Sequence, residues 1–72
     1  MANKIAWKAD PNTAADVIAT YTDRWELTKF IRLEFKGSGM YIIRIDGVYV
    51  DCIEGLTAAK RRAKKALAIG SY

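Results

Sequence analysis

The stretch from Trp25 to Ile53 constrains the fold most, because two glycine turns divide it into runs of period two. Trp25, Leu27, Ile31, Leu33 and Phe35 alternate with Glu26, Thr28, Arg32, Glu34 and Lys36. Alternation of this kind marks a strand with one buried face. Lys29 and Phe30 interrupt the pattern, which places a bulge or the strand's start there. Gly37-Ser38-Gly39 then reads as a turn, Met40–Ile45 as a second strand and Val48–Ile53 as a third. Asp46-Gly47 between the last two is a hairpin signal, since both residues tolerate the positive φ of a type I′ turn. A three-residue first turn pairs Phe35 with Tyr41, Leu33 with Ile43 and Ile31 with Ile45. A two-residue second turn pairs Ile45 with Val48, Ile43 with Val50 and Tyr41 with Cys52. One face of the meander then carries Ile31, Leu33, Phe35, Tyr41, Ile43, Ile45, Val48, Val50 and Cys52. A two-residue turn at the first corner would put the first strand's apolar set on the wrong face.

Helices are expected on both sides of this meander in sequence. Asp10-Pro11 resembles a helix start, with Asp as cap and Pro at the first helical position. Ala14, Val17, Ile18 and Tyr21 fall at i, i+3, i+4 and i+7, which predicts a helix over 11–21 against the β-branched Val17, Ile18 and Thr20. A second helix is expected over 57–69, with Thr57 as cap and Gly70 past the end. Leu56, Ala59, Ala63, Ala66 and Leu67 give it a narrow apolar stripe that allows close approach to the sheet. Residues 4–8 form a short first strand or an anchored arm whose Trp7 covers part of the core. The expectation is one α+β domain over residues 1–72: a three-stranded antiparallel meander with two helices packed on one face (α-β-β-β-α).

The residue inventory speaks against catalysis. The chain has no histidine and one cysteine, Cys52. That leaves no neutral-pH base, no internal disulfide and no Cys or His set at zinc spacing. The pattern puts Cys52 on the core face as a structural thiol. Asp10, Asp16, Asp23 and Glu26 are explained by capping and solubility. No cofactor, metal or small-molecule substrate is implied. A single cysteine and the lack of a long apolar run predict a cytoplasmic protein that does not engage a membrane.

Charge is the strongest functional signal. Residues 1–59 hold seven basic and eight acidic side chains, and Lys60-Arg61-Arg62-Ala63-Lys64-Lys65 adds five cations to give the net +4. A surface helix built only for solubility usually interleaves Glu with Lys. Here like charges stand three and four apart, a self-repulsion that an anionic partner would relieve. Either a solvated face or a binding surface at Lys60, Arg61, Arg62, Lys64 and Lys65 fits that pattern. The same register gives the other sheet face Phe30, Arg32, Glu34, Met40, Ile42, Arg44, Tyr49, Asp51 and Ile53. That face reads three ways. It is a protein contact centred on Met40, Ile42 and Ile53, or a stacking platform of Phe30 and Tyr49 with Arg32 and Arg44 on phosphates. The third reading is a second core covered by the N-terminal arm or by a twin subunit.

With Lys60-Arg61-Arg62-Ala63-Lys64-Lys65-Ala66-Leu67-Ala68 closing an expected α-β-β-β-α order over 11–69, the chain resembles a double-stranded-RNA-binding domain. The resemblance implies phosphate contacts by Lys60, Arg61 and Lys64, and a 37–39 turn that approaches a minor groove. A final hairpin followed by Gly55-Leu56 and the Ala/Lys-rich run is also similar to small phage and prophage accessory domains, some of which bind host proteins. Two expectations result. The first is a nucleic acid partner for the basic helix. The second is an inhibitor or adaptor role on an acidic or nucleic-acid-handling host protein, through the helix and the open sheet face.

Overall fold

The computed structural model describes residues 5–22 and 25–70. Its elements are β1 (Lys8–Ala9), β2 (Val17–Thr22), β3 (Thr28–Phe35), β4 (Met40–Ile45), β5 (Val48–Glu54) and α1 (Leu56–Ile69). The strands form one antiparallel sheet in sequence order. The α-β-β-β-α expectation is thus overturned: the fold is a five-stranded antiparallel sheet with one C-terminal helix.

The expected helix over 11–21 is absent. Its apolar spacing fits a period of two equally well, through Val17, Ala19 and Tyr21. In that conformation β2 pairs with β3 from Val17↔Leu33 to Thr22↔Thr28. This pairing satisfies the backbone groups that a three-stranded meander would leave along the β3 edge, and it suits Val17, Ile18 and Thr20. Asp10 caps no helix. It closes a hairpin loop in which the Asn12 N–H donates to Asp10 Oδ1 at 2.9 Å and the Asp10 N–H donates to Asp16 O at 3.0 Å. The preference of Asp for local N–H donors was real, but it serves an Asx turn. Trp25 and Leu27 precede β3 and stand 68% and 60% exposed, outside the buried alternation. β3 itself runs through Lys29 and Phe30 without a bulge.

The centre of the meander follows the expected register. Phe35↔Tyr41, Leu33↔Ile43, Ile31↔Ile45 and Ile45↔Val48 all pair. Asp46 and Gly47 hold φ of 52° and 82°, as the tight turn requires. Asp46 also fastens the neighbouring strand, since the Phe30 N–H donates to its Oδ1 at 2.8 Å. Beyond Tyr49 the register shifts. Arg44 pairs with Tyr49 but Ile43 pairs with Asp51, so Val50 is an extra residue at a β-bulge. The expected Ile43–Val50 and Tyr41–Cys52 pairs are therefore replaced by Ile43–Asp51 and Tyr41–Ile53. Ile53 moves to the helix side and packs on the core. Cys52 moves to the other face, opposite Ile42 and half-buried.

The core lies between the sheet and α1. Ile31, Leu33, Ile43 and Ile45 are fully buried against Ala59, Ala63, Ala66 and Leu67, with Ala19 beside them. This is the expected alanine stripe, and it brings the helix down onto β5 and β4, with lesser contact to β3. Ile5 and Trp7 pack on the same core from the N-terminal side. The helix begins one residue earlier than expected. Gly55, with φ 93°, occupies the N-cap position in place of Thr57, and the cap makes no side-chain hydrogen bond. At the other end Gly70 is left-handed and its N–H donates to Ala66 O at 2.8 Å.

Candidate interaction surfaces

The basic run lies in the middle of α1. Burial of Ala59, Ala63, Ala66 and Leu67 fixes the rotation of the helix and leaves Arg61, Lys64 and Lys65 exposed. The structure separates the five cations. Arg62 turns to the sheet, where its Nε meets Asp51 Oδ2 at 3.1 Å. The bulge that brings Asp51 to this side makes the pair available. Lys60 lies half-buried with Nζ 5.8 Å from the centroid of the Trp7 ring, within cation–π range. Arg61, Lys64 and Lys65 have no carboxylate partner among the described residues. Lys60, Arg61, Lys64 and Lys65 thus form one patch a single helical turn deep. No acidic residue stands in the first turn and no basic residue in the last. The macrodipole therefore leaves the self-repulsion of the patch unrelieved.

The opposite sheet face carries a different pattern. Arg32 is held by two carboxylates, with Nη2 at 2.8 Å from Asp10 Oδ2 and Nη1 at 2.9 Å from Asp16 Oδ2. Asp16 Oδ1 also accepts the Phe35 N–H at 3.0 Å, which ties the β1–β2 loop to the end of β3. The Asn12 N–H and then the Arg32 guanidinium hold the Asp10 carboxyl below its ordinary pKa, against the effect of burial. The Asp10 hydrogen bond raises Arg32 in turn. Arg44 Nε meets Glu34 Oε1 at 3.2 Å. Arg32 and Arg44 stand directly opposite each other in the register, so without these carboxylates they would repel. Both arginines have carboxylate partners within the fold, which compete with the phosphate contacts that the stacking-platform reading gives them.

This face also carries Lys8, Ile18, Thr20, Thr22, Thr28, Phe30, Met40, Ile42, Tyr49, Cys52 and Glu54, by the strand registers. Phe30 is 42% and Tyr49 54% exposed. The expected membership of Asp51 and Ile53 is corrected by the bulge, which exchanges them for Cys52 and Glu54. A hollow of about 280 Å³ at the corner is lined by Ala6, Lys8, Ile18, Ala19, Thr20 and Phe30. It lies just below the roughly 300–1,000 Å³ of ordinary ligand pockets, and Lys8 is its only ionic group. Among the described residues no group of three or more His, Cys, Asp or Glu is placed to hold a metal. No helix among them is long and apolar enough to cross a membrane.

Sequence reasoning missed the Asp10–Arg32–Asp16 cluster. Its members lie up to 22 positions apart (32 − 10) and meet only because β2 pairs with β3. No protein-family model, curated protein or solved structure matches the chain.

Proposed function

We propose that this chain is a small non-enzymatic binding domain that contacts a nucleic acid backbone through Lys60, Arg61, Lys64 and Lys65. One observation carries this reading: a helix with five cations and no carboxylate projects at least three of those cations into solvent without an ion-pair partner. Like charges at three- and four-residue spacing each cost the helix a few tenths of a kcal/mol. A row of phosphates turns that repulsion into attraction and releases counterions. The reading implies little sequence selectivity, since phosphate contacts position a protein without reading bases.

The test is fluorescence-anisotropy titration of labelled duplex RNA, duplex DNA and single strands. The wild type is compared with a variant carrying Lys60→Ala, Arg61→Ala, Lys64→Ala and Lys65→Ala. Alanine favours the helix, so the variant keeps its far-UV circular dichroism and loses binding. Binding retained by that variant overturns the proposal. Absence of wild-type binding to every strand type at low salt assigns the helix to an acidic protein surface, the inhibitor or adaptor reading.

A further inference from the structure

The helix covers one side of the sheet only. On the other side Ile18, Phe30, Met40, Ile42, Tyr49 and Cys52 share a face whose arginines are already paired. The core on the helix side is small. Its fully buried large side chains are Ile31, Leu33, Ile43 and Ile45, and alanines supply most of the rest. A core of this size rarely gives more than roughly 3–5 kcal/mol, and small proteins add a disulfide, a metal or a second subunit. One cysteine and no histidine remove the internal disulfide and the usual zinc set.

We propose that the open sheet face is the interface of a homodimer, with two copies packed face to face about a two-fold axis. Area and charge favour a second copy. A stable interface takes on the order of 800 Å² from each partner. That is about a sixth of the 4877 Å² this chain exposes. The face is nearly neutral, with Lys8, Arg32 and Arg44 against Asp10, Asp16, Glu34 and Glu54, so a copy of itself meets no uncompensated field. Association through the other side would press one +5 helix against another. Face-to-face packing places the two basic helices on opposite outer surfaces, with both sheets between them. Two such sheets stack at about 10 Å, with Met40, Ile42 and Tyr49 interdigitating across the axis.

The experiment is sedimentation equilibrium on the wild type, Ile42→Asp and Tyr49→Lys, with circular dichroism on each and thiol-labelling rates for Cys52. Tyr49 is exposed in the single chain, so Tyr49→Lys leaves the fold intact even where Ile42→Asp does not. The wild type should run at twice the 8.1 kDa chain mass. Tyr49→Lys should run at the chain mass with native dichroism, and its Cys52 should label several-fold faster than that of the wild type. A wild type at the chain mass at concentrations on the order of 100 μM overturns the proposal, since a functional dimer would be populated there. A Tyr49→Lys variant that stays dimeric with slow Cys52 labelling also overturns it, because the contact would lie elsewhere.

Discussion

Replacing Ala63 by Leu tests the packing that fixes which side of the helix faces out. Ala63 is fully buried in the middle of the stripe formed by Ala59, Ala63, Ala66 and Leu67. It faces a sheet surface filled by Ile31, Leu33, Ile43 and Ile45. A larger side chain there must push the helix off the sheet or adopt a strained rotamer. Overpacking of this kind costs about 1–3 kcal/mol. Against a core worth roughly 3–5 kcal/mol, that is about a fifth of the stability or more. For a domain of this size each kcal/mol moves Tm by about 4–8 °C, so the expected fall is roughly 5–20 °C. Ala68→Leu is the control, because Ala68 is exposed on the same helix. Its effect should stay within about 0.5 kcal/mol. The assay is thermal unfolding followed by circular dichroism at one fixed protein concentration, since dimerisation links Tm to concentration. Equal melting of the two variants would refute the placement of the stripe, and with it the outward orientation of Arg61, Lys64 and Lys65.

Two further outcomes are expected. The bulge at Val50 puts Ile53 on the core and Cys52 on the open face, so Ile53→Ala should destabilise by about 2 kcal/mol and Cys52→Ser by far less; the reverse order in urea denaturation would restore the unbulged register. The Asp10 carboxyl is held below its ordinary pKa, so its stabilising effect is complete above the unfolded value of about 3.9 and is lost as pH falls from there through the lower folded value. Asp10→Asn removes this proton uptake, and its urea midpoint should fall less steeply than that of the wild type between about pH 5 and pH 2; parallel profiles would contradict the role assigned to the Asn12 and Arg32 contacts.

The central meander was legible because turn chemistry and alternation agreed there. Asp46-Gly47 and Gly37-Ser38-Gly39 set the register, and the inward residues of β3 and β4 confirmed it. The C-terminal helix was legible for a similar reason, since Ala59, Ala63, Ala66 and Leu67 fall on one 3.6-residue stripe with Gly70 beyond them. Residues 17–22 were ambiguous. Val17, Ile18 and Tyr21 suit a helical face, and Val17, Ala19 and Tyr21 suit a strand face. The β3 edge decides between them, and that is a tertiary influence no local pattern contains. The bulge was hidden because both faces of β5 are partly apolar, Val48 and Val50 on one reading and Tyr49 and Ile53 on the other. Nothing in the pattern penalised a slip of one residue.

The candidate surface was legible in part for the same reasons. Lys60, Arg61, Lys64 and Lys65 stand together as the charge run indicated, but Arg62 is diverted to Asp51 by a bulge the sequence did not announce. The ion pairs of Arg32 and Arg44 within the fold were not legible, because their carboxylates come from distant or cross-strand positions. Asp10, Asp16 and Glu34 engage them once the strands pair.

The most direct test of the binding account is the salt dependence of wild-type affinity for a labelled duplex. With Arg62 held by Asp51, four cations remain for phosphates, and the log–log slope should be about −3.6. Affinity should then fall roughly 150-fold for a fourfold rise in salt. A slope near zero, with affinity unchanged across that range, would contradict the account.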